Sequence, residues 1–108
     1  MRKISATLPS ITPPPGADFV CEWETHKEGV YRAVFGPDRT VTDHPARVYP
    51  GAVQLADGTI EDIDVSSPCV YVSNGESESL PGLNSDQARE LAAALLECAA
   101  QLDGWVQR

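Results

Sequence analysis

The feature that most constrains the fold is a capped amphipathic helix in the last quarter of the chain. Asn84 is a favoured N-cap residue, and Gln87 three positions later completes a reciprocal capping box. Gly104 is a typical C-terminal stop, so the sequence predicts a helix over residues 84–103. One arc of this helix is apolar and consists of Ala88, Leu91, Ala92, Leu95, Leu96, Cys98, Ala99 and Leu102. The arc predicts that the helix packs on a sheet, with Trp105 as a core residue beyond its end.

Two strands are predicted before the middle of the chain. Residues 19–24 alternate with a period of two, and residues 30–35 form a second strand that ends at a Gly-Pro pair. The two are expected to pair as a hairpin. Residues 37–50 are predicted to be irregular, because Pro45 and Pro50 interrupt any long element.

A second hairpin is predicted around Asp57-Gly58, the residue pair that a type I′ turn favours. Its strands are residues 52–56 and 59–65, and a further strand over residues 69–72 leads into a polar loop before the helix. The predicted fold is therefore α+β: a small antiparallel meander of four to five strands with one C-terminal amphipathic helix packed on it.

The N-terminal segment is rich in proline and is assigned to a separate region. Residues 1–17 include the run Pro13-Pro14-Pro15, which cannot form a helix or a ladder, and they are predicted to be a disordered tail. Residues 18–108 are predicted to form a single domain.

Charge separates the two halves of the chain. The net charge of −8 resides in residues 50–108, which hold ten acidic residues against Arg89 and Arg108. Such a surface repels phosphate backbones, which argues against direct nucleic-acid binding and favours a protein partner, especially a basic one. The candidate interaction surface consists of Asp57, Glu61, Asp62, Asp64, Glu76 and Glu78.

A metal site is the first chemistry that the sequence raises. Cys21 and His26 could form a small zinc-binding domain, with His44 and Cys69 as more distant ligands. Structural zinc normally uses closely spaced ligand pairs, and the chain has neither a CxxC nor an HxxxH pair. Zinc binding therefore stays an alternative, and no metal or cofactor is expected.

Catalysis has little support in the sequence. Glu61, Asp62 and Asp64 are close only along one strand, whereas acid–base chemistry needs carboxylates that converge from different elements. Cys98 lies on the apolar arc, where a thiol is packing material, and no glycine-rich phosphate loop is present. The sequence thus predicts a protein that is not an enzyme.

Localisation is predicted from three absences. No apolar run is long enough to span a bilayer, and the basic start of the chain lacks the apolar region of a signal peptide. The three cysteines are odd in number and widely spaced, which favours reduced thiols. A cytoplasmic protein without a membrane partner is expected.

One resemblance indicates the kind of organism that encodes this protein. The helix segment Gln87-Ala88-Arg89-Glu90-Leu91-Ala92-Ala93-Ala94-Leu95-Leu96, after a meander with a Val70-Tyr71-Val72 strand, resembles small proteins of actinobacteria and of their phages and prophages. The resemblance implies a source and a fold, and it implies no mechanism. We expect a non-enzymatic accessory protein, encoded by a phage or prophage, that acts by binding another protein. An acidic inhibitor that mimics nucleic acid and blocks a host DNA- or RNA-binding factor is the alternative, and homo-oligomers are compatible with both.

Overall fold

The protein folds as an antiparallel sheet with one helix on it. The computed structural model describes residues 10–26, 29–62 and 67–106. The elements are β1 Phe19–Val20, β2 Glu24–His26, β3 Gly29–Phe35, β4 Arg39–Val41, β5 His44–Leu55, β6 Cys69–Ser73 and α1 Ser85–Val106. The six strands form one sheet, so the predicted α+β fold with a C-terminal helix is confirmed.

β5 is the central strand of the sheet. β3 pairs with residues 51–55 of β5, β4 pairs with residues 44–48, and β6 pairs with residues 47–51. Because β6 overlaps both of the others, it must lie along the opposite edge of β5, and β3 and β4 share one edge. β1 and β2 both pair with β3, which confirms the first predicted hairpin.

Residues 37–50 contain two strands, so the prediction that they are irregular was wrong. Pro50 accepts a hydrogen bond from Gly36 N at 2.9 Å, which places the backbone polar groups of residue 50 on the edge shared by β3 and β4. The missing N–H of Pro50 therefore faces the gap between β3 and β4, where no ladder bond is lost. Pro45 lies beyond Arg47, the last β5 residue paired with β6.

The second predicted hairpin is shorter and its turn differs. Gly58 N donates to Leu55 O at 2.9 Å, so Ala56 and Asp57 are the central residues of the turn. Gly58 follows with φ = 93°, whereas a type I′ turn needs positive φ at both central residues. The geometry is a three-residue hairpin loop that ends in a left-handed glycine. The return side makes one described bridge, Gln54 with Ile60, and residues 63–66 lie outside the described part of the chain.

The N-terminal cap of α1 is the one that the sequence predicts. Asn84 N donates to Gln87 Oε1 at 2.9 Å, and Gln87 N donates to Asn84 Oδ1 at 2.8 Å. The helix does not end at Gly104 but continues to Val106. The extra turn carries Trp105 onto the sheet, and the expectation that Trp105 joins the core is confirmed by its 6% exposure.

The buried face of α1 is rotated relative to the predicted arc. Its buried residues are Ala94, Cys98, Leu102 and Trp105, which pack with Val34, Val48 and Ala52 of the sheet. Ala88, Ala92, Leu96 and Ala99 of the predicted arc are exposed, and Leu96 reaches 72%. The apolar arc of the helix is thus wider than the part of the helix that the sheet buries.

Polar bonds from β4 and the following turn hold one flank of α1. Arg39 donates from Nε to Glu97 Oε1 at 3.1 Å and from Nη2 to Gln101 Oε1 at 3.2 Å. Thr42 donates from N and from Oγ1 to the carboxylate of Glu90, at 2.9 and 3.0 Å. These contacts fix the rotation of the helix, which leaves the exposed alanines of the arc on the other flank and turns Leu96 away from the sheet.

Residues 10–17 lie against the sheet and the helix end, in contrast to the disordered tail expected for residues 1–17. Ile11 O accepts from Arg32 Nη2 at 2.9 Å, and Thr12 O accepts from Gln54 Nε2 at 3.0 Å. Trp105 Nε1 donates to the carbonyl of Pro15 at 2.7 Å. Prolines lack N–H groups, so carbonyls are what such a segment offers, and here three donors meet them. Residues 1–9 lie outside the described residues.

Arg32 anchors this segment from within the sheet. It is 8% exposed, its Nε donates to Gln54 Oε1 at 2.8 Å, and its guanidinium carbon lies 4.3 Å from the Trp23 ring centroid. Desolvation lowers the pKa of Arg32 below its ordinary value. The buried charge is therefore held by amide dipoles and an aromatic face.

Replacing Trp105 by Phe tests the attachment of residues 10–17. The change leaves the Pro15 carbonyl without its donor and leaves a small void, so we expect the free energy of unfolding to fall by about 1–3 kcal/mol. Tyr31→Phe is the matched control, because it removes an exposed bond to Glu24 and is expected to shift stability by less than about 0.5 kcal/mol. Denaturant titration measures both, and equal losses would contradict a structural role for the Pro15 contact.

Candidate functional site

The face of the sheet opposite α1 carries a cluster of aromatic side chains. Phe35 has its ring centroid 6.0 Å from Phe19, 6.0 Å from Tyr49 and 6.1 Å from Tyr71. Tyr49 and Tyr71 stack at 5.4 Å with an interplanar angle of 20°. The four rings come from β1, β3, β5 and β6 and form one continuous surface, which we call the aromatic face.

Gly51 in the centre of β5 allows the rings to meet. A Cβ atom at this position would lie 2.6 Å from Tyr71 Cε2 and 2.9 Å from Phe35 Cδ1. Such distances are well inside van der Waals contact, so a side chain at Gly51 would push the rings apart. The missing side chain is what lets Phe35 and Tyr71 cover the strand from both sides.

The aromatic face is open to solvent and borders a groove of about 560 Å³. Phe19 is 62% exposed and Tyr71 is 39% exposed, and contiguous exposed apolar surface of this kind marks interaction sites in many proteins. The groove is lined by Asp18, Phe19, Phe35, Gly36, Asp38 and Tyr49. Asp38 pairs with Arg47 at 3.2 Å, while no ion-pair partner of Asp18 lies among the described residues.

The Tyr71 hydroxyl has a perturbed pKa. A hydrogen bond to Cys69, followed by burial and by the negative charges that Cys69 and Tyr49 acquire, raises the pKa of Tyr71 to about 12. Tyr71 therefore keeps its proton throughout the physiological range and acts as an uncharged aromatic group at the edge of the aromatic face.

The structure divides the predicted acidic surface between two ends of the sheet. Asp57, Glu61 and Asp62 follow the C-terminal end of β5, and the Thr59 hydroxyl and backbone N–H hold the pKa of Asp57 below its ordinary value. Glu76 and Glu78 follow Ser73, whose partner in β5 is Arg47. The eight residue-to-residue steps from Arg47 to Leu55 span roughly 26 Å of extended strand. Asp64 lies outside the described residues.

The possible zinc ligands are dispersed as well. Cys21 N donates to Ala33 O, Cys69 faces Gly51, and the side chain of His26 is not among those described. His44 accepts from Ala46 N through Nδ1 at 3.1 Å, which leaves Nε2 to donate to Pro81 O at 3.1 Å. His44 thus links β5 to the loop before the helix, and the described residues contain no group of three potential metal ligands.

Cys98 lies in the helix–sheet contact. It is fully buried, and burial raises the pKa of its thiol despite a hydrogen bond from Arg39 Nη1 at 3.2 Å. A buried thiol with a raised pKa is a poor nucleophile. Its position agrees with the packing role that the apolar arc indicates.

Comparison with known proteins adds no relative. No family model, curated protein or solved structure matches this chain. Among the described residues, no helix is long and apolar enough to cross a membrane.

Sequence reasoning did not find the aromatic face. Its four rings are dispersed over residues 19–71, and each one looks like an ordinary strand residue. The available signal was the period of two in residues 46–54, where every even-numbered residue is apolar or Gln54 and Tyr49 lies between two of them. This pattern is typical of a strand that places Tyr49 on its other face, whereas the prolines predict an irregular segment over residues 37–50.

The raised pKa of Tyr71 gives a pH-dependent prediction. The fold favours the neutral phenol, so this contribution to stability is complete below about pH 10 and is lost as the pH rises to about 12. Cys69→Ser removes the thiolate, and we expect the pKa of Tyr71 to fall toward 10.0. Phenolate absorbance during alkaline titration, with Tyr71→Phe to assign the signal, measures the change. An unaltered titration in Cys69→Ser would contradict the contact.

Proposed function

We propose that the protein is a non-enzymatic binding module whose aromatic face holds a basic segment of another protein. The observation that carries the proposal is the exposed aromatic cluster beside two carboxylates. Phe19 and Tyr49 line the same groove as Asp18 and Asp38, so an apolar stem and a cationic head find complementary groups within one groove.

The chemistry of the groove favours arginine or lysine in the partner. The faces of Phe and Tyr rings attract a cation within about 6 Å of the centroid, by about 0.5–2 kcal/mol. The Asp18 carboxylate adds an ionic contact, and the aliphatic part of a long basic side chain can lie on Phe19. Exposed aromatic clusters are also typical of interface centres.

The overall charge supports the same class of partner. At a net charge of −8, the protein attracts basic segments at long range and repels nucleic-acid backbones. The acidic residues at both ends of the sheet contribute to this attraction without contacting the groove. The resemblance of the helix segment remains the basis for proposing an actinobacterial phage or prophage as the source. The odd number and wide spacing of the cysteines remain the basis for proposing the cytoplasm as the location.

Selection from a random peptide library tests the proposal with defined ligands. We expect the protein to enrich peptides that contain arginine or lysine beside apolar residues. Their affinity, measured by fluorescence anisotropy, should weaken roughly 5- to 30-fold in Phe19→Ala, the range of an interface hot spot. Affinity should also fall as salt is raised, because charge contributes to binding.

A charge-matched pair of variants separates the groove from the other acidic residues. Asp18→Asn with Asp38→Asn removes two charges from the groove, and Glu76→Gln with Glu78→Gln removes two from the exposed loop after β6. We expect the first variant to lose most of the affinity and the second to lose little. The reverse order would transfer the function to the acidic surface predicted from sequence. If selection yields no basic peptide, the groove proposal is wrong.

A further inference from the structure

We infer that β6 is a homodimerisation edge, through which two copies of the chain join their sheets into one. This interface is separate from the groove, and it does not depend on the proposed function. β6 is an edge strand, and an edge strand with unpaired backbone polar groups is a template for another strand.

The pairing of β5 shows which groups of β6 point outward. Val53 O accepts from Glu61 N, and Val53 N donates to Ser67 Oγ, so the odd-numbered residues of this part of β5 direct their backbone groups away from β3. The odd-numbered residues of β6 face those of β5 in register and form the hydrogen-bonded pairs. Val70 and Val72 therefore direct their N–H and C=O groups to the outer edge, where no other described strand pairs with β6.

These outward groups are complementary to themselves. In an antiparallel arrangement about a two-fold axis at Tyr71, Val70 faces Val72 of the second copy, and Val72 faces its Val70. Each of these two pairs exchanges both backbone hydrogen bonds, which gives four bonds in all. The alternative register centred on Val70 would bring Val72 opposite Pro68, which has no N–H to donate.

The side of α1 next to this edge is apolar and exposed. Arg39 and Thr42 hold the flank with Glu90 and Glu97 toward β4, and the opposite flank faces β6 because the helix contacts both strands. That flank carries the exposed alanines of the arc, Ala88, Ala92 and Ala99, whereas Leu96 lies on the far side of the helix from its buried residues. Val72 of β6 itself is 51% exposed. Apolar surface thus continues from the strand edge up the helix.

The dimensions fit a pair of helices on a joined sheet. The distance from β5 of one copy to β5 of the other is three strand spacings, or about 14 Å. A helix with its side chains is about 10–12 Å wide, so two helices over the joined strands leave a gap of a few ångströms. Ala92 and Ala99 of each copy border this gap, so the two helices fit side by side without a clash.

Charge explains why the second copy fits this edge. Residues 69–73 contain no charged side chain. The opposite edge of the sheet, by contrast, carries Asp18, Glu22 and Glu24. Two molecules of charge −8 can therefore pair their β6 strands without placing like charges opposite each other on the strands, and salt should strengthen their association by screening the remaining repulsion.

Sedimentation velocity over a range of concentrations and salt tests the dimer with three variants. Val72→Pro removes an outward N–H that the monomer does not use, and Ala99→Lys places a charge on the helix flank next to β6. We expect each variant to weaken dimerisation roughly tenfold or more while circular dichroism shows an intact fold. Leu80→Lys, at a site 41% exposed in the loop before the helix, is the control and should dimerise normally.

Disulfide trapping tests the register. In a Cys21→Ser, Cys69→Ser background, Tyr71→Cys should form a disulfide across the axis, since directly opposed Cβ atoms lie about 4.5–5.5 Å apart. Val72→Cys should trap far less, because the two copies of residue 72 are diagonal. A protein that stays monomeric at high concentration and salt, or that traps better at residue 72, overturns the inference. Monomers that instead bind an extended peptide along β6 would assign the edge to a different partner.

Discussion

The two-sided pairing of β5 is the constraint on which the rest of the structure depends. β3 and β4 pair with one edge of this strand and β6 pairs with the other, so every strand of the sheet except β1 and β2 is hydrogen-bonded to it directly. A strand in that position should tolerate no proline, yet β5 contains two. Pro50 is accommodated because the neighbouring edge is interrupted between Phe35 and Arg39, opposite the amide that proline lacks. The break between β3 and β4 is thus what allows Pro50 to lie within β5 without the loss of a ladder hydrogen bond.

The two faces of β5 have different tasks. The even-numbered residues from Ala46 to Gln54 are buried under α1 and residues 10–17, while Tyr49 and Gly51 face the aromatic side. The helix covers only part of this face of the sheet. Beyond the end of the helix, residues 10–17 cover the sheet, where the Ile11 and Thr12 carbonyls accept hydrogen bonds from Arg32 and Gln54. The fold thus buries one face with a helix and a proline-rich segment, and leaves the other open for binding.

Local signals in the sequence were sufficient where a structure depends on near neighbours. The Asn84–Gln87 cap and the strand at Cys69–Ser73 agree with the prediction, because capping and alternation act within a few residues. The rotation of α1 could not be predicted, since Arg39 and Thr42 set it from a distant strand. For the same reason the aromatic face was missed: its rings meet only after four strands are placed side by side. The strand at residues 44–50 could not be predicted either, because the effect of Pro45 and Pro50 depends on which edge of β5 each proline nitrogen faces.

The partners of Arg32 have a consequence for the conditions under which residues 10–17 stay attached. The guanidinium is held by the Gln54 amide, the Ile11 carbonyl and the Trp23 ring, none of which gains or loses a proton in the accessible pH range. The Thr12 and Pro15 contacts also join uncharged partners. Acidification that neutralises the carboxylates of this strongly anionic protein therefore leaves this attachment chemically unchanged. The segment is fastened by bonds that do not titrate, on a molecule whose surface charge does.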